Sequence, residues 1–380
     1  MIFPTRRIVL ICNEFPPRPH AGIGTAVQTI AYGLSRKGHA VTVVGLGDGE
    51  EEHTDDKIRV FTLERNKRPL IGNLASRIRL RNWLNRYIKK EKVDLVEVPD
   101  SSGLLPFGSN GCATVVRLHL SFTAVNRVTG EKAGKAISFF ERQTLSRSPN
   151  WIAVSNSVRD LTQSAFGVTP RRCVTIYNPV LPLSASLPEL PELPANYILY
   201  AGNVCRRKGA DVLAEAARGI LAKSPDLHLV YAGGVFAEFG RPISGDILKT
   251  VGQDLAGRVH FLGRVDRLRV LTCMKRARVF AFPSHVEGFP MVVLEAMSCG
   301  VPVVYSKHPP GPEIIEHGLS GLLADPLNPK DFGAAVSRVL DNPVLAKTLG
   351  EAGRKRVGDL FTVEKCVGDT ERFYNTCLGN

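Results

Sequence analysis

Apolar and polar positions alternate in blocks along this chain of 380 residues. Short apolar runs occupy 6–12, 41–44, 93–99, 113–119, 151–155, 173–179, 197–202, 227–234, 259–265 and 279–282. Each is too short for a helix and is bounded by glycine, proline, asparagine or aspartate, so each predicts a buried strand. Between them the apolar residues recur every three or four positions, the spacing of one helix face. Helices are expected over 26–36, opened by Gly22-Ile23-Gly24-Thr25 and stopped by Gly38, over 70–92, around Phe139-Phe140-Glu141-Arg142, from Ala210, from Pro329 and from Val363. Strands alternating with helices argue for parallel sheets with crossover connections. No internal repeat or low-complexity segment interrupts the pattern.

Length suggests two domains, each able to bury its own core. Pro182, Pro188, Pro191 and Pro194 crowd a stretch with little polar bulk, which reads as a linker. The expected division is therefore 1–182, a linker at 183–196, 197–360, and a terminal helix at 361–380 that crosses back to the first domain. Apolar content of 44% and a mean hydropathy of −0.01 describe an ordinary globule, and no apolar run is long enough to span a bilayer. Two arginines ahead of the first apolar run mimic a signal peptide, but the run reads as a strand and no small-residue cleavage site follows. Eight cysteines show no metal-ligand spacing, which implies reduced thiols and a cytoplasmic location.

Charge alters the picture more. Lys and Arg against Asp and Glu give 26 − 15 = +11 for residues 1–180 and 23 − 21 = +2 for 181–380. The first half should therefore face an anionic partner. Residues 64–92 carry ten Lys or Arg against Glu64 and Glu91, interleaved with Leu70, Ile71, Leu74, Ile78, Trp83, Leu84, Tyr87 and Ile88. Such a helix suits an anionic membrane surface. Packing on its own sheet with solvated arginines is an equal alternative. Aromatic content of 7% and the lack of a nucleic-acid module argue against nucleic acid.

The candidate chemistry centres on 282–300, FPSHVEGFPMVVLEAMSCG. A strand end is followed by Glu287, Gly288 and Phe289, then by Pro290 as the expected first helical residue. The N–H groups of such a helix start suit a phosphate. Glu287 precedes it, and Glu295 lies roughly 7–8 Å further along the axis. Carboxylates accept hydrogen bonds from vicinal hydroxyls, so the order carboxylate, phosphate cradle, carboxylate matches a sugar nucleotide. Two glutamates eight apart also arise by chance around any strand-to-helix turn.

Glu287 and Glu295, flanked by Pro283-Ser284 and by Gly300-Val301-Pro302-Val303-Val304, resemble the signature of glycosyltransferase family 4. The resemblance implies GT-B architecture, two Rossmann-like doubly wound parallel-sheet domains facing across a cleft, and a retaining, metal-independent transfer of sugar from a nucleoside diphosphate. It implies that Gly22 and Gly24 line a loop over the diphosphate, and that His119, ending Arg117-Leu118-His119, holds donor sugar and acceptor in place. Read without the family, His119 is a satisfied histidine at a strand end. Glu141 matches a recurring helix position, structural or acceptor-side. In Asn203-Val204-Cys205-Arg206-Arg207-Lys208 the family places an arginine where Asn203 stands and a lysine at Lys208, so Arg206 or Arg207 is expected to supply the missing cation. The nucleobase is expected near Leu262, Gly263 and Arg264. No cofactor is implied, since the nucleotide sugar is a co-substrate. The acceptor is left as a glycan, a lipid-linked glycan or a small hydroxyl compound, as in polysaccharide assembly at the inner face of a membrane. A sugar-nucleotide epimerase on the same architecture, or a non-catalytic binder of nucleotide sugar or another anion, are the rival readings.

Overall fold

Each apolar run closes into a strand because its valines, isoleucines and leucines find helices on both faces of a parallel sheet. The computed structural model describes residues 4–18, 22–68, 71–109, 111–131, 134–183, 186–238 and 240–379. The chain divides into two α/β units, Met1–Leu181 with Thr362–Asn380, and Pro182–Phe361.

The first unit holds β1 (Arg7–Ile11), β2 (Ala40–Gly47), β3 (Glu51–Asp55), β4 (Ile58–Glu64), β5 (Leu95–Pro99), β6 (Ala113–Leu118), β7 (Asn150–Ala153) and β8 (Arg172–Thr175) in one sheet of order β3-β4-β2-β1-β5-β6-β7-β8. All neighbours are parallel except β3 with β4. The crossovers carry α1 (Gly22–Arg36), α2 (Gly72–Glu91), α3 (Phe122–Thr129), α4 (Lys135–Ser146) and α5 (Asn156–Phe166). The runs read from the sequence omit both β4, although Ile58 and Val60 alternate there with Arg59 and Phe61, and β3, where Glu51-Glu52-His53-Thr54 has no apolar alternation. An edge strand needs none, and charge there discourages pairing with another chain. Helix α1 begins a full turn before the expected residue 26, because the Glu14 carboxylate accepts from the Gly24 N–H at 2.8 Å and satisfies the early turn.

Helix α2 buries Leu80, Leu84 and Ile88 against its own sheet. That half of the helix follows the packing alternative. Ile71, Leu74 and Ile78, nearer its start, remain exposed, and Leu70 lies outside the described residues.

The second unit holds β9 (Tyr197–Ala201), β10 (His228–Ala232), β13 (Val259–Phe261), β14 (Val279–Phe282), β15 (Val303–Ser306) and β16 (Leu322–Ala324), all parallel, in the order β13-β10-β9-β14-β15-β16, with a small hairpin of β11 (Ala237–Glu238) and β12 (Arg241–Pro242). Its helices are α6 (Ala210–Lys223), α7 (Ile243–Val251), α8 (Arg267–Arg276), α9 (Met291–Cys299), α10 (Gly311–Ile314), α11 (Pro329–Leu340) and α12 (Pro343–Leu360). The proline-rich stretch is less of a free linker than its composition suggests. Leu190 and Leu193 are buried, and Thr272 Oγ1 of α8 donates to the Pro188 carbonyl at 3.0 Å.

The last helix, α13 (Val363–Leu378), belongs to the first unit. It packs on α1, where Gly33 admits it, since a Cβ there would sit 2.4 Å from Val367. Its Tyr374 hydroxyl donates to Glu97 at 2.6 Å, and its Glu371 takes Lys37 and His39 at 2.8 and 3.0 Å. All eight cysteines are free thiols. Among the described residues no helix is long and apolar enough to cross a membrane.

Candidate functional site

In an open parallel sheet, ligands bind beyond the carboxyl ends of the strands where the strand order reverses. In the second unit the reversal falls between β9 and β14, which are hydrogen-bonded neighbours. The loops that leave these two strands carry Asn203 to Lys208 and His285 to Pro290. The two loops are laced together. The His285 N–H donates to the Arg207 carbonyl at 3.1 Å, and Arg207 Nη1 donates to the Val286 carbonyl at 3.3 Å. Gly209 makes the approach possible. Its φ is +71°, and a Cβ there would lie 1.9 Å from the Pro283 carbonyl oxygen.

The lacing brings Lys208 Nζ to 3.1 Å from Glu287 Oε1, with the ammonium 5.6 Å from the Phe282 ring centroid. Ser284 Oγ donates to the same carboxylate oxygen at 3.0 Å. Both charged side chains are mostly covered, 18% and 11% exposed, so their attraction is little screened. Pro290 is the N-cap residue of α9 rather than its first residue, with extended backbone at φ −74° and ψ 107°. The helix starts at Met291, one place later than expected, within the usual uncertainty of a helix end.

The two candidate replacement cations are held differently. Arg206 is held by three carboxylates, Asp211 at 2.9 Å, Glu238 at 3.1 Å and Asp246 at 2.7 Å. It ties α6, the β11–β12 hairpin and α7 together, so its charge is already answered by acids of its own unit. Arg207 is exposed, and its side chain meets the Val286 carbonyl as its one hydrogen-bond partner among the described residues. Asn203, at the position expected of an arginine, accepts from the Tyr200 hydroxyl through its carbonyl at 2.7 Å.

Glu295 lies on α9, buried, with Arg267 Nε of α8 at 2.7 Å. Burial pushes its carboxyl above the ordinary value while the Arg267 charge opposes that. Arg267 was not singled out by its sequence, and only the packing of α8 against α9 reveals it. In the loop after β13, the Leu262 N–H is taken by the Tyr231 carbonyl at 2.9 Å, Gly263 has φ +66°, and the Arg264 side chain lies along Gly234. Gly288 and Phe289 are both buried at the start of α9.

In the first unit the order reverses between β1 and β5. His119 follows β6, and its N–H donates to Asp100 Oδ1, just beyond β5, at 2.8 Å. His119 Nε2 and Asp100 Oδ2 are buried without a hydrogen-bond partner among the described residues. Burial, with Arg117 adding to it, holds the imidazole down to about 3, so it is neutral near pH 7. Burial pushes the Asp100 carboxyl up to about 7. The Asp100 pairing is a second feature that sequence spacing did not disclose. Arg117 itself forms a buried fork with Glu97 at 2.8 and 2.9 Å. Gly22 opens α1, and the Gly24 N–H is already bound to Glu14. Glu141 resolves to the structural alternative. It is fully buried and accepts from the N–H groups of Ser102, Phe122 and Thr123 at 3.1, 3.0 and 3.1 Å, which caps α3.

Comparison with known proteins matches residues 20–181 to the model described as Glycosyltransferase Family 4, and residues 188–356 to that described as Glycosyl transferases group 1. An uncharacterized glycosyltransferase of Methanocaldococcus jannaschii is 26% identical over 98% of this chain and 98% of its own. Among solved structures, sucrose-phosphate synthase from Thermosynechococcus elongatus aligns with a TM-score of 0.79 at 20% identity, covering 98% of this chain and 99% of that one. Anabaena HepE, solved in complex with UDP and glucose, aligns with a TM-score of 0.72 at 19% identity over 97% and 98% of the two chains.

Proposed function

The chain belongs to the glycosyltransferases of the family 4, group 1 type and has the GT-B fold, and from that premise we propose that it moves a sugar from a nucleoside-diphosphate donor to a hydroxyl acceptor with retention and without a metal. The observation that carries the donor assignment is the 3.1 Å pair of Lys208 and Glu287 at the strand-order reversal of the second unit. One ammonium and one carboxylate side by side match a diphosphate next to a sugar's hydroxyls. Lys208, with Arg207, answers charge that develops on the departing diphosphate. The start of α9 at Gly288 to Met291 adds its dipole. Glu287 accepts from donor sugar hydroxyls, and Glu295, oriented by Arg267, takes the ribose. The loop at Leu262 to Arg264 takes the base. His119, a neutral imidazole whose buried Nε2 has no partner among the described residues, offers that nitrogen to a sugar hydroxyl.

UDP is the nucleotide proposed first, since the Anabaena relative was solved with it. The charge of the first half, +11 for residues 1–180 against +2 beyond, supports an anionic glycan or lipid-linked acceptor at the cytoplasmic face of a membrane, as in polysaccharide assembly. Thermal-shift screening against UDP, GDP and ADP forms of common sugars, followed by transfer assays on Glu287→Ala, tests the reading. The variant should keep its fold and lose transfer by on the order of a hundredfold or more. Unchanged turnover in Glu287→Ala would refute it, and consumption of donor without any acceptor would favour an epimerase.

A further inference from the structure

Away from the strand ends, the first unit carries a groove between α2 and the β3–β4 edge. One cavity, of about 230 Å³, is lined by Phe61, Trp83 and Tyr87 together with Arg59, Arg86 and Lys90, and by Glu52. The next, of about 510 Å³, is lined by Arg65, Lys67, Arg68 and Arg79 with Glu64. Cations less acids give 3 − 1 = +2 for the first lining and 4 − 1 = +3 for the second. From Arg79 to Lys90 the helix advances about 16 Å, so the two cavities share one helix.

The aromatic floor is built. Trp83 stacks on Tyr87 with centroids 4.7 Å apart, and Phe61 tilts against both at 4.9 and 5.6 Å. Arg59 lies 5.0 Å over Phe61 and is held by Glu52 at 3.0 Å. Arg86 and Lys90 are exposed, with no ion pair among the described residues. Half-buried rings in a concavity are not what a bilayer meets, because a bilayer takes up convex apolar surface. A single-stranded nucleic acid would use the rings and cations but offers few hydroxyls to Glu52 and Glu64, the two carboxylates of the linings. Those carboxylates accept hydrogen bonds from hydroxyls.

We propose that this groove binds a negatively charged saccharide, with sugar rings against Trp83 and Tyr87, its carboxylates or phosphates on Arg86 and Lys90, and its hydroxyls on Glu52. The inference rests on the transferase reading only in making that saccharide the acceptor polymer, which is held here by residues distinct from those assigned to the donor.

The two tryptophans make a clean readout, since Trp151 is fully buried and Trp83 is not. Emission of the full chain is titrated with oligogalacturonate, with neutral malto-oligosaccharide and with single-stranded RNA. A saturable change with the uronate alone, weakened about tenfold or more in Arg86→Glu/Lys90→Glu, is expected. Both positions are exposed, so the fold should survive. No saturable change, an equal response to RNA or to the neutral sugar, or an unaltered double variant would overturn the proposal. UDP binding is read on the same samples by thermal shift. Wild-type protein that binds UDP but gives no saturable change with the uronate refutes the groove alone, whereas wild-type protein that ignores every nucleotide refutes the donor site and leaves the groove result standing.

Discussion

At the scale of single residues, neighbouring side chains of the same charge are paired in different ways. Arg206 answers three carboxylates within 3.1 Å, whereas Lys208 faces Glu287 across a mostly covered gap. Lys208→Ala should therefore cut transfer by on the order of a hundredfold and weaken UDP binding, with some loss of Tm because the mostly covered Glu287 is left unpaired. Arg206→Ala should lower Tm by a few degrees, mainly by releasing the hairpin, and retain nucleotide affinity. Isothermal titration with UDP beside thermal melts of both variants checks this. Asp100 and His119 give a pH signature. The lowered imidazole costs stability as pH falls from about 6.5 toward 3, because the unfolded chain then binds the extra proton. The raised carboxyl costs stability as pH rises from about 4 toward 7, because the native state then holds it. The two slopes oppose each other between about pH 4 and 6.5. Asp100→Asn should leave stability rising with pH across that window, and His119→Ala should leave it falling, each by up to about 1.4 kcal/mol per pH unit. Urea denaturation at several pH values reads the slopes, and parallel slopes in the two variants would contradict the assignment.

At the scale of elements, each site is made by loops that leave adjacent parallel strands, so what matters is how closely the loops approach. Gly209 sets that distance in the second unit. Gly209→Ala combines a positive φ with a Cβ placed 1.9 Å from a carbonyl oxygen, and should lower both Tm and UDP affinity. In the first unit Glu141 holds the Ser102 loop and the start of α3 through one carboxylate. Glu141→Ala leaves three N–H groups unanswered and should cost about 1–3 kcal/mol, measured by chemical denaturation. The strand-to-helix turn at 283–291 was legible because its chemistry is local. Proline, glycine and glutamate there each declare a backbone or charge preference within a few residues. Strand β3 was illegible because an edge strand exposes one side and carries no apolar alternation. The packing of the proline-rich stretch on α8 was also hidden, since composition records stiffness and not where a segment docks.

At the scale of the molecule, the two units are unequal in how they are assembled from the chain. The second is one continuous segment, Pro182–Phe361, while the first needs Thr362–Asn380 to complete it. A fragment of residues 182–361 should fold alone and bind UDP. Residues 1–181 alone should not fold stably, because the buried Arg117–Glu97 fork would lose the Tyr374 hydroxyl and His39 would lose Glu371. Circular dichroism melts of the two fragments, and of 1–181 supplied with a peptide of residues 362–380, test this, and a stably folded 1–181 would refute it. The sequence by itself determined two parallel-sheet units, the strand-to-helix turn with Glu287, and the basic bias of the first half, because strand and helix periodicity and turn preference are carried by near neighbours. The tertiary structure alone decided that Arg206 is held by three carboxylates and Lys208 faces Glu287, that Arg267 holds Glu295, that Asp100 accepts from the His119 backbone N–H, and that Phe61, Trp83 and Tyr87 gather into one groove. Each of those depends on which strands become neighbours, and pairing between residues tens of positions apart is set by packing of the whole sheet rather than by any local pattern.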